Sequence, residues 1–94
     1  GVIIVRNKKK ETTGIFTDGD IKRTIQKNND VKNLIIKYFM TKNPISIEKD
    51  SLADKAMEIM NRKKITSLCV HSKSNKTKTI GIIHIHNLIS ADII

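Results

Sequence analysis

The sequence predicts an α/β (α+β) chain made of two unequal copies of one strand–helix unit, and three observations carry that reading. The stretch Gly14-Ile15-Phe16-Thr17-Asp18-Gly19-Asp20-Ile21 runs from an apolar strand through a polar turn into a helix start. Gly81-Ile82-Ile83-His84-Ile85-His86-Asn87-Leu88 repeats the layout, with Gly81 for Gly14, His84 for Thr17, Asn87 for Asp20 and Leu88 for Ile21, at an offset of 67 residues. Each copy also follows an apolar run, residues 2–5 or 68–70, across a Lys-rich loop. An internal repeat of this period sets the architecture before any single element is assigned.

Taken in order, residues 2–5 read as a buried strand, because four consecutive β-branched residues suit a pleat covered on both faces. Residues 6–13 form a polar turn, and residues 14–17 return antiparallel to the first strand. A helix over residues 20–27 places Ile21 and Ile25 on one face at i, i+4. Asn28, Asn29 and Asp30 end it and cap a second short helix over residues 31–39. Pro44 cannot continue a helix and biases Asn43 towards extended backbone, so residues 40–44 read as the junction between copies. Residues 45–47 alternate as a short strand. Ser51 then caps the clearest helix of the chain, with Asp54 at the capping-box position and Leu52, Ala56, Ile59 and Met60 as its core-facing stripe. Residues 65–67 lead into a strand that ends at His71, residues 72–78 loop over, residues 79–85 return, and a last helix covers residues 86–92. The second copy thus reads strand, helix, strand, strand, helix. The first holds only the last two strands and the helix, which divides the chain into a partial first repeat with its linker, residues 1–40, and a second repeat, residues 41–94.

Composition narrows the function. A chain of 94 residues buries proportionally less of its surface than a larger one, which predicts support from a partner copy or a neighbouring domain. Its hydrophobic content rests on Ile, with no Trp, one Tyr and two Phe, so it lacks the aromatic platform that stacks single-stranded nucleic acid. The net charge of +9 comes from basic residues scattered along the chain, and such a charge speaks to solubility and non-specific binding more than to a dedicated nucleic-acid surface. The run Lys8-Lys9-Lys10 falls in a hairpin loop, where it reads as a solvated face. The one cysteine, Cys69, cannot form an internal disulfide and sits in an apolar strand as a small buried hydrophobe, so a reducing cytoplasm is the expected compartment. No apolar run approaches the ~18 residues of a membrane span. No secretory leader is visible, and an opening Gly1 that leads straight into a strand reads as the start of a fragment of something longer.

The chemistry concentrates at the first repeated stretch. Free N–H groups at a helix N-terminus favour a phosphate, Gly19 permits close backbone approach, and Asp20 can accept from two ribose hydroxyls. The plainer alternative is that Asp18 or Asp20 caps the helix. The residues alone leave both readings open.

These residues resemble the paired cystathionine-β-synthase (CBS) domain, a regulatory module whose unit has this order of elements. Its adenine-nucleotide motif runs Gly, apolar, any residue, Thr or Ser, any two residues, Asp or Asn. Gly14, Ile15, Thr17 and Asp20 match it; Gly81, Ile82 and Asn87 match while His84 departs. Met40-Thr41-Lys42-Asn43-Pro44, Lys64-Ile65-Thr66-Ser67 and the segment from Ile83 to Ile89 further resemble the C-terminal CBS pair of bacterial arabinose-5-phosphate isomerases, with Asn87 where that family usually has Asp. The resemblance implies a CBS-domain pair (Bateman module), two β-α-β-β-α repeats with the first truncated at its N-terminus. It implies a sugar-isomerase (SIS) catalytic domain ahead of the pair in the same polypeptide. That domain would interconvert D-ribulose 5-phosphate and D-arabinose 5-phosphate for Kdo (3-deoxy-D-manno-octulosonate) and lipopolysaccharide synthesis, leaving no catalytic residue in this chain. It further implies a homodimer through the repeats, a higher oligomer in the full protein, no membrane or nucleic-acid partner, no required cofactor, and a small-molecule effector, an adenine nucleotide or CMP-Kdo. The effector would lie in the cleft between repeats, against Gly14, Thr17, Asp18, Gly19 and Asp20 from the first and Thr66, Ser67, His84, His86 and Asn87 from the second. Without an effector, the module would be a structural dimerisation device or the CBS pair of another regulated protein.

Two rival chemistries are set aside. Cys69, His71, His84 and His86 are zinc-type ligands on neighbouring strands, but an even hairpin sets residue 71 opposite 80 and 67 opposite 84. His71 and His84 are then four positions apart, roughly 13 Å at ~3.4 Å per residue, too far to share an ion held by bonds of ~2 Å. A catalytic dyad of Asp18 and Asp20 lacks a nucleophile, a convincing cleft and side chains to orient the pair in so short a chain.

Overall fold

The structure, a computed structural model, describes residues 1–28 and 30–90. Residues 91–92 of the expected last helix lie outside the described residues, as does Asn29. The chain forms two compact units, Gly1–Pro44 and Ile45–Ile94, each with its own three-stranded sheet. No helix among the described residues is long and apolar enough to cross a membrane.

In the first unit β1 (Val2–Arg6) and β2 (Thr12–Thr17) make the expected antiparallel hairpin, in register from Val2↔Thr17 to Val5↔Gly14. Asn7 folds the turn: its side-chain oxygen accepts from the N–H groups of Lys9 and Glu11, and Lys10 closes it at φ 65°. β1 is an edge strand, so residues 2–5 are not the doubly covered strand that a β-branched run predicts; none is fully buried, and Ile3 is 47% exposed. The other edge is β3 (Thr41–Lys42), which pairs with Ile15 and Gly14 inside the stretch expected to be a plain junction. Asn43 follows at φ 51°, left-handed where Pro44 led to an extended expectation. Asn tolerates that region, and its N–H donates to Thr13 O at 3.3 Å.

The helix α1 (Asp18–Lys27) begins two residues before its expected start. It buries Asp20 and Thr24, whereas Ile21 and Ile25, the expected inner face, are exposed. A polar seam can turn inward because Thr24 Oγ1 donates to Asp20 O at 2.7 Å. The helix expected over residues 31–39 is reduced to one 3-10 turn, Ile36–Tyr38. Val31, Ile35 and Ile36 are β-branched, and Asn33 bonds the Asp30 carboxylate at 2.7 Å, so side-chain competition and low propensity defeat a segment already too short to nucleate easily. This segment and α1 enclose an apolar cavity of about 130 Å³ lined by Phe16, Ile21, Leu34 and Phe39 among others.

In the second unit β4 (Ser46–Glu48) runs parallel to β5 (Ser67–Ser72), and β6 (Asn75–His84) runs antiparallel to β5. Parallel neighbours need a crossover, supplied by α2 (Ala53–Lys63), which ends on a left-handed Lys64 (φ 56°) whose N–H donates back to Asn61 O. Ser51 is not its cap: the cap position is Leu52, and the Ser51 N–H is used by the preceding turn, donating to Glu48 O at 3.0 Å. Leu52 consequently falls off the apolar stripe and is 77% exposed, while Ala56, Ile59 and Met60 pack with Ile47, Leu68 and Leu88 as the core. The loop expected over residues 72–78 shrinks to Lys73 and Ser74, since Asn75 Oδ1 accepts from both the N–H and the hydroxyl of Thr77 and lets β6 start early. The last helix, α3 (Ile85–Ser90), begins one residue before its expected start.

Leu68 is wholly buried between β5, β6 and α2. Leu68→Ala is expected to cost ~2–5 kcal/mol in chemical denaturation, whereas Leu52→Ala should stay within about 0.5 kcal/mol of wild type.

Candidate functional site

The expected site residues gather into two loci, one at the start of α1 and one at the start of α3. At the first, Thr17 ends β2 in extended backbone (φ −106°, ψ 172°) and caps α1: its Oγ1 accepts from the Asp20 N–H at 3.3 Å, and Asp20 Oδ2 accepts from the Thr17 N–H at 2.9 Å. This reciprocal capping box uses Asp where Glu or Gln is commoner. Thr17, and neither Asp18 nor Asp20, is therefore the cap. Asp20 is the member that reaches back, and it is 5% exposed.

Four donors reach the Asp20 carboxylate. Oδ2 accepts from the Thr17 N–H and from the Thr17 hydroxyl at 3.0 Å, while Oδ1 accepts from Arg23 at 2.7 Å and from the Thr41 hydroxyl at 3.1 Å. Arg23 and Thr41 were not among the expected site residues. The i, i+3 spacing of Asp20 and Arg23 on one helix was a readable signal for the first; nothing local marks Thr41, which the pairing of β3 with β2 delivers. Asp18 is exposed in the first turn and pairs with the amino group of Gly1. Gly19 takes ordinary helical backbone within α1, and a Cβ there would come to 3.4 Å from the Arg23 guanidinium. Gly14 is buried, and a Cβ on it would drive into the Met40 side chain, so β2 and the residue preceding β3 approach closely only because the position is Gly.

The second locus repeats one half of the box and caps the helix with different chemistry. Asn87 Oδ1 accepts from the His84 N–H at 2.9 Å, and His84 Nδ1 accepts from the His86 N–H at 3.2 Å. His84 thus does with a ring nitrogen what Thr17 does with a hydroxyl, in the tautomer that carries its proton on Nε2. The His84 and His86 rings stack at 4.7 Å. Thr66 O accepts from the Ile85 N–H at 2.8 Å and Ser67 lies opposite His84 in the β5–β6 ladder, which brings all five expected residues of this unit to one place. Among the described residues Ser67 Oγ is buried there without a hydrogen-bond partner.

A ladder slip beside His71 sets it opposite Thr79 and not residue 80, and its Nδ1 lies 2.9 Å from Ser72 O, away from the α3 locus. Among the described residues no three His, Cys, Asp or Glu side chains gather as a metal site. Cys69 is buried, and burial pushes its thiol above the ordinary value against a hydrogen bond with Thr79.

Burial acts to raise the Asp20 carboxyl, but the Thr17 N–H, the Arg23 guanidinium and the hydroxyls of Thr17 and Thr41 outweigh it and hold the group below its ordinary value. A carboxyl depressed on folding stabilises the fold above its unfolded value of 3.8 and loses that contribution as the pH falls through the lower folded value. Asp20→Asn should therefore flatten the acid limb of stability against pH below about 4 while the limb of the wild type stays steep, measured by thermal melts across pH 2–7.

With this geometry in view, comparison with known proteins gives a consistent answer. The CBS domain family matches residues 31–93. The chain is 40% identical over 80 residues to an arabinose 5-phosphate isomerase, KdsD, of Francisella tularensis, covering 85% of this chain and 24% of that protein. It is 31% identical over all 94 residues to KdsD of Escherichia coli K12, covering 28% of that protein. The chain spans about a quarter of the length of these relatives. Among solved structures, a CBS-domain protein of Agrobacterium tumefaciens superposes with a TM-score of 0.84 at 25% identity, over 98% of this chain and 71% of that one. At 20% identity, where the likeness shows the fold alone, stand the CBS pair of protein MJ0100 in complex with 5′-methylthioadenosine and S-adenosyl-L-methionine (TM-score 0.83, covering 97% of this chain and 68% of that one) and a CBS-domain protein of Pyrobaculum aerophilum complexed with AMP (TM-score 0.81, 94% and 66%). Strand–helix junctions built twice on one plan, a mixed α/β fold shared with CBS pairs and a family match over two thirds of the sequence agree: this chain belongs to the CBS-domain family.

Proposed function

We propose that this chain is the regulatory region of a longer D-arabinose 5-phosphate isomerase and senses a nucleotide or nucleotide-sugar effector, an adenine nucleotide or CMP-Kdo. The observation that carries the reading is the duplicated junction, in which a strand ends on a capping residue, a helix starts, and an Asp or Asn three residues on closes the box. Similarity to KdsD across the chain supports the parent enzyme, and solved relatives that hold AMP or S-adenosyl-L-methionine support the effector class. In this reading the catalytic SIS domain precedes the chain and carries the isomerisation of D-ribulose 5-phosphate and D-arabinose 5-phosphate for Kdo and lipopolysaccharide synthesis, in the cytoplasm. For the effector, Asp20 serves the ribose hydroxyls and Thr17, Asp18 and Gly19 the phosphate in the first repeat, and Thr66, Ser67, His84, His86 and Asn87 are the effector residues of the second. Calorimetry at physiological salt tests it with AMP and CMP-Kdo. A hydrogen bond to a charged group contributes ~1.5–3 kcal/mol, so Asp20→Ala is expected to weaken binding by about 10- to 150-fold. Equal binding by wild type and variant would leave Asp20 its place in the capping box alone.

A second reading, dimerisation through the repeats, is favoured by the apolar side chains the first unit leaves in water: Ile3, Ile25, Ile35 and Tyr38 are all about half exposed or more. Light scattering should report a dimer. A folded monomer at micromolar concentration would remove this reading without touching the first.

A further inference from the structure

We propose that Arg23 and Thr41 are a built-in competitor for the Asp20 carboxylate, displaced when a ribose-bearing ligand binds, and that their displacement unfastens β3 from α1. The inference rests on the nucleotide reading above and adds to it how the site is closed in the empty protein and what opening it moves.

A carboxylate offers about four lone-pair positions. On Asp20 all four are taken, two by the backbone and hydroxyl of Thr17 and two by Arg23 and Thr41. A vicinal diol cannot add to this set and must replace two members of it. The Thr17 pair is built into the helix start, between residues three apart, and giving it up would break the reciprocal half of the capping box. The other pair is held less firmly. The Arg23 side chain is 63% exposed against 6% for Asp20, so the guanidinium can swing into water and keep its hydration. Thr41 belongs to a two-residue strand that is itself exposed and makes only the pairs Ile15↔Thr41 and Gly14↔Lys42.

Thr41 makes the competition consequential. Its hydroxyl reaches across 21 residues of sequence to Asp20 and joins β3 to the cap of α1. Beyond β3 the chain passes through Asn43, at φ 51° and held by a 3.3 Å bond to Thr13 O, to Pro44, where the first unit ends. Loss of the Thr41 contact leaves β3 with its short ladder alone. Ligand at Asp20 thus reaches the segment that leads into the second unit through one hydroxyl, without any change in the hairpin or in α1.

Adenosine is the probe that isolates the effect, because it carries the diol and lacks a phosphate that Arg23 could attract for its own sake. Calorimetry would compare wild type, Arg23→Ala, Thr41→Val and Thr41→Ser, each first shown by circular dichroism to be folded. Removing a competing ion pair whose arginine side lies in water should tighten adenosine binding by about 2- to 5-fold in Arg23→Ala. Thr41→Val should tighten it comparably, and Thr41→Ser, which keeps the donor, should match wild type. Hydrogen exchange supplies a second readout: saturating adenosine should speed exchange of the Asn43 N–H in wild type and have little effect in Thr41→Val, where the contact is already gone. Binding by wild type with equal or weaker binding by Arg23→Ala and Thr41→Val overturns the competitor and leaves the nucleotide reading standing. Tighter binding by both variants with an unchanged Asn43 N–H overturns the coupling to β3. Absence of adenosine, AMP and CMP-Kdo binding in all four proteins overturns both readings.

Discussion

The junction between β2 and α1 is the constraint on which the first unit depends. A helix start leaves its first N–H groups without intrahelical partners, and here Thr17 and Asp20 satisfy two backbone N–H groups reciprocally, one of them the last of the strand. The contact spans three residues, so it forms without help from distant packing. Once formed it places a buried carboxylate at the junction, and that charge must be met. Arg23 meets it from the next turn of the helix and Thr41 from β3. The short third strand, hard to justify on two ladder pairs, is explained by this anchor.

The two hairpins are built in the same register and covered differently, which separates what local sequence decides from what packing decides. Ile3↔Phe16 in the first corresponds to Leu68↔Ile83 in the second. Leu68 is fully buried because α2 lies over it, whereas Ile3 is 47% exposed. The same holds for Leu88, at 5%, and its counterpart Ile21, at 36%. Apolar surface of one pattern is therefore core in the second unit and open face in the first, and the well-packed cluster of Ile47, Ala56, Ile59, Met60, Leu68 and Leu88 belongs to the second alone.

This division also explains what could be read from the sequence. Both hairpins, both junction helices, α2 and the pairing of Ser67 with His84 were legible, since turn residues, apolar periodicity and the repeat all pointed one way. The misreadings occur where tertiary context or a single competing bond decides. Burial of residues 2–5 requires a covering layer that periodicity cannot see. Ser51 had the right identity for a cap and the wrong position by one residue, because the turn after β4 ends on it. Residues 31–39 carried enough apolar residues for a helix face but too many β-branched ones to hold it. At the candidate site the motif gave Thr17 and Asp20, and the helix spacing could have given Arg23. Thr41 was out of reach because its role depends on a contact across 21 residues of sequence.

The two copies of the junction also differ in charge, and the difference is internally consistent. The first pairs Asp20 with Arg23; at the same offset the second has Asn87 and Ser90. An amide can close the box with its oxygen, as Asn87 does on the His84 N–H, and brings no buried charge that demands a cation. A carboxylate does the same work at the cost of needing one. If capping were the only task, the neutral version would be sufficient at both places, so the charged version with its Arg and Thr partners is in excess of what the helix start requires. On the reading proposed above that excess is a ligand site, and Arg23 and Thr41 are the groups a ligand would have to replace.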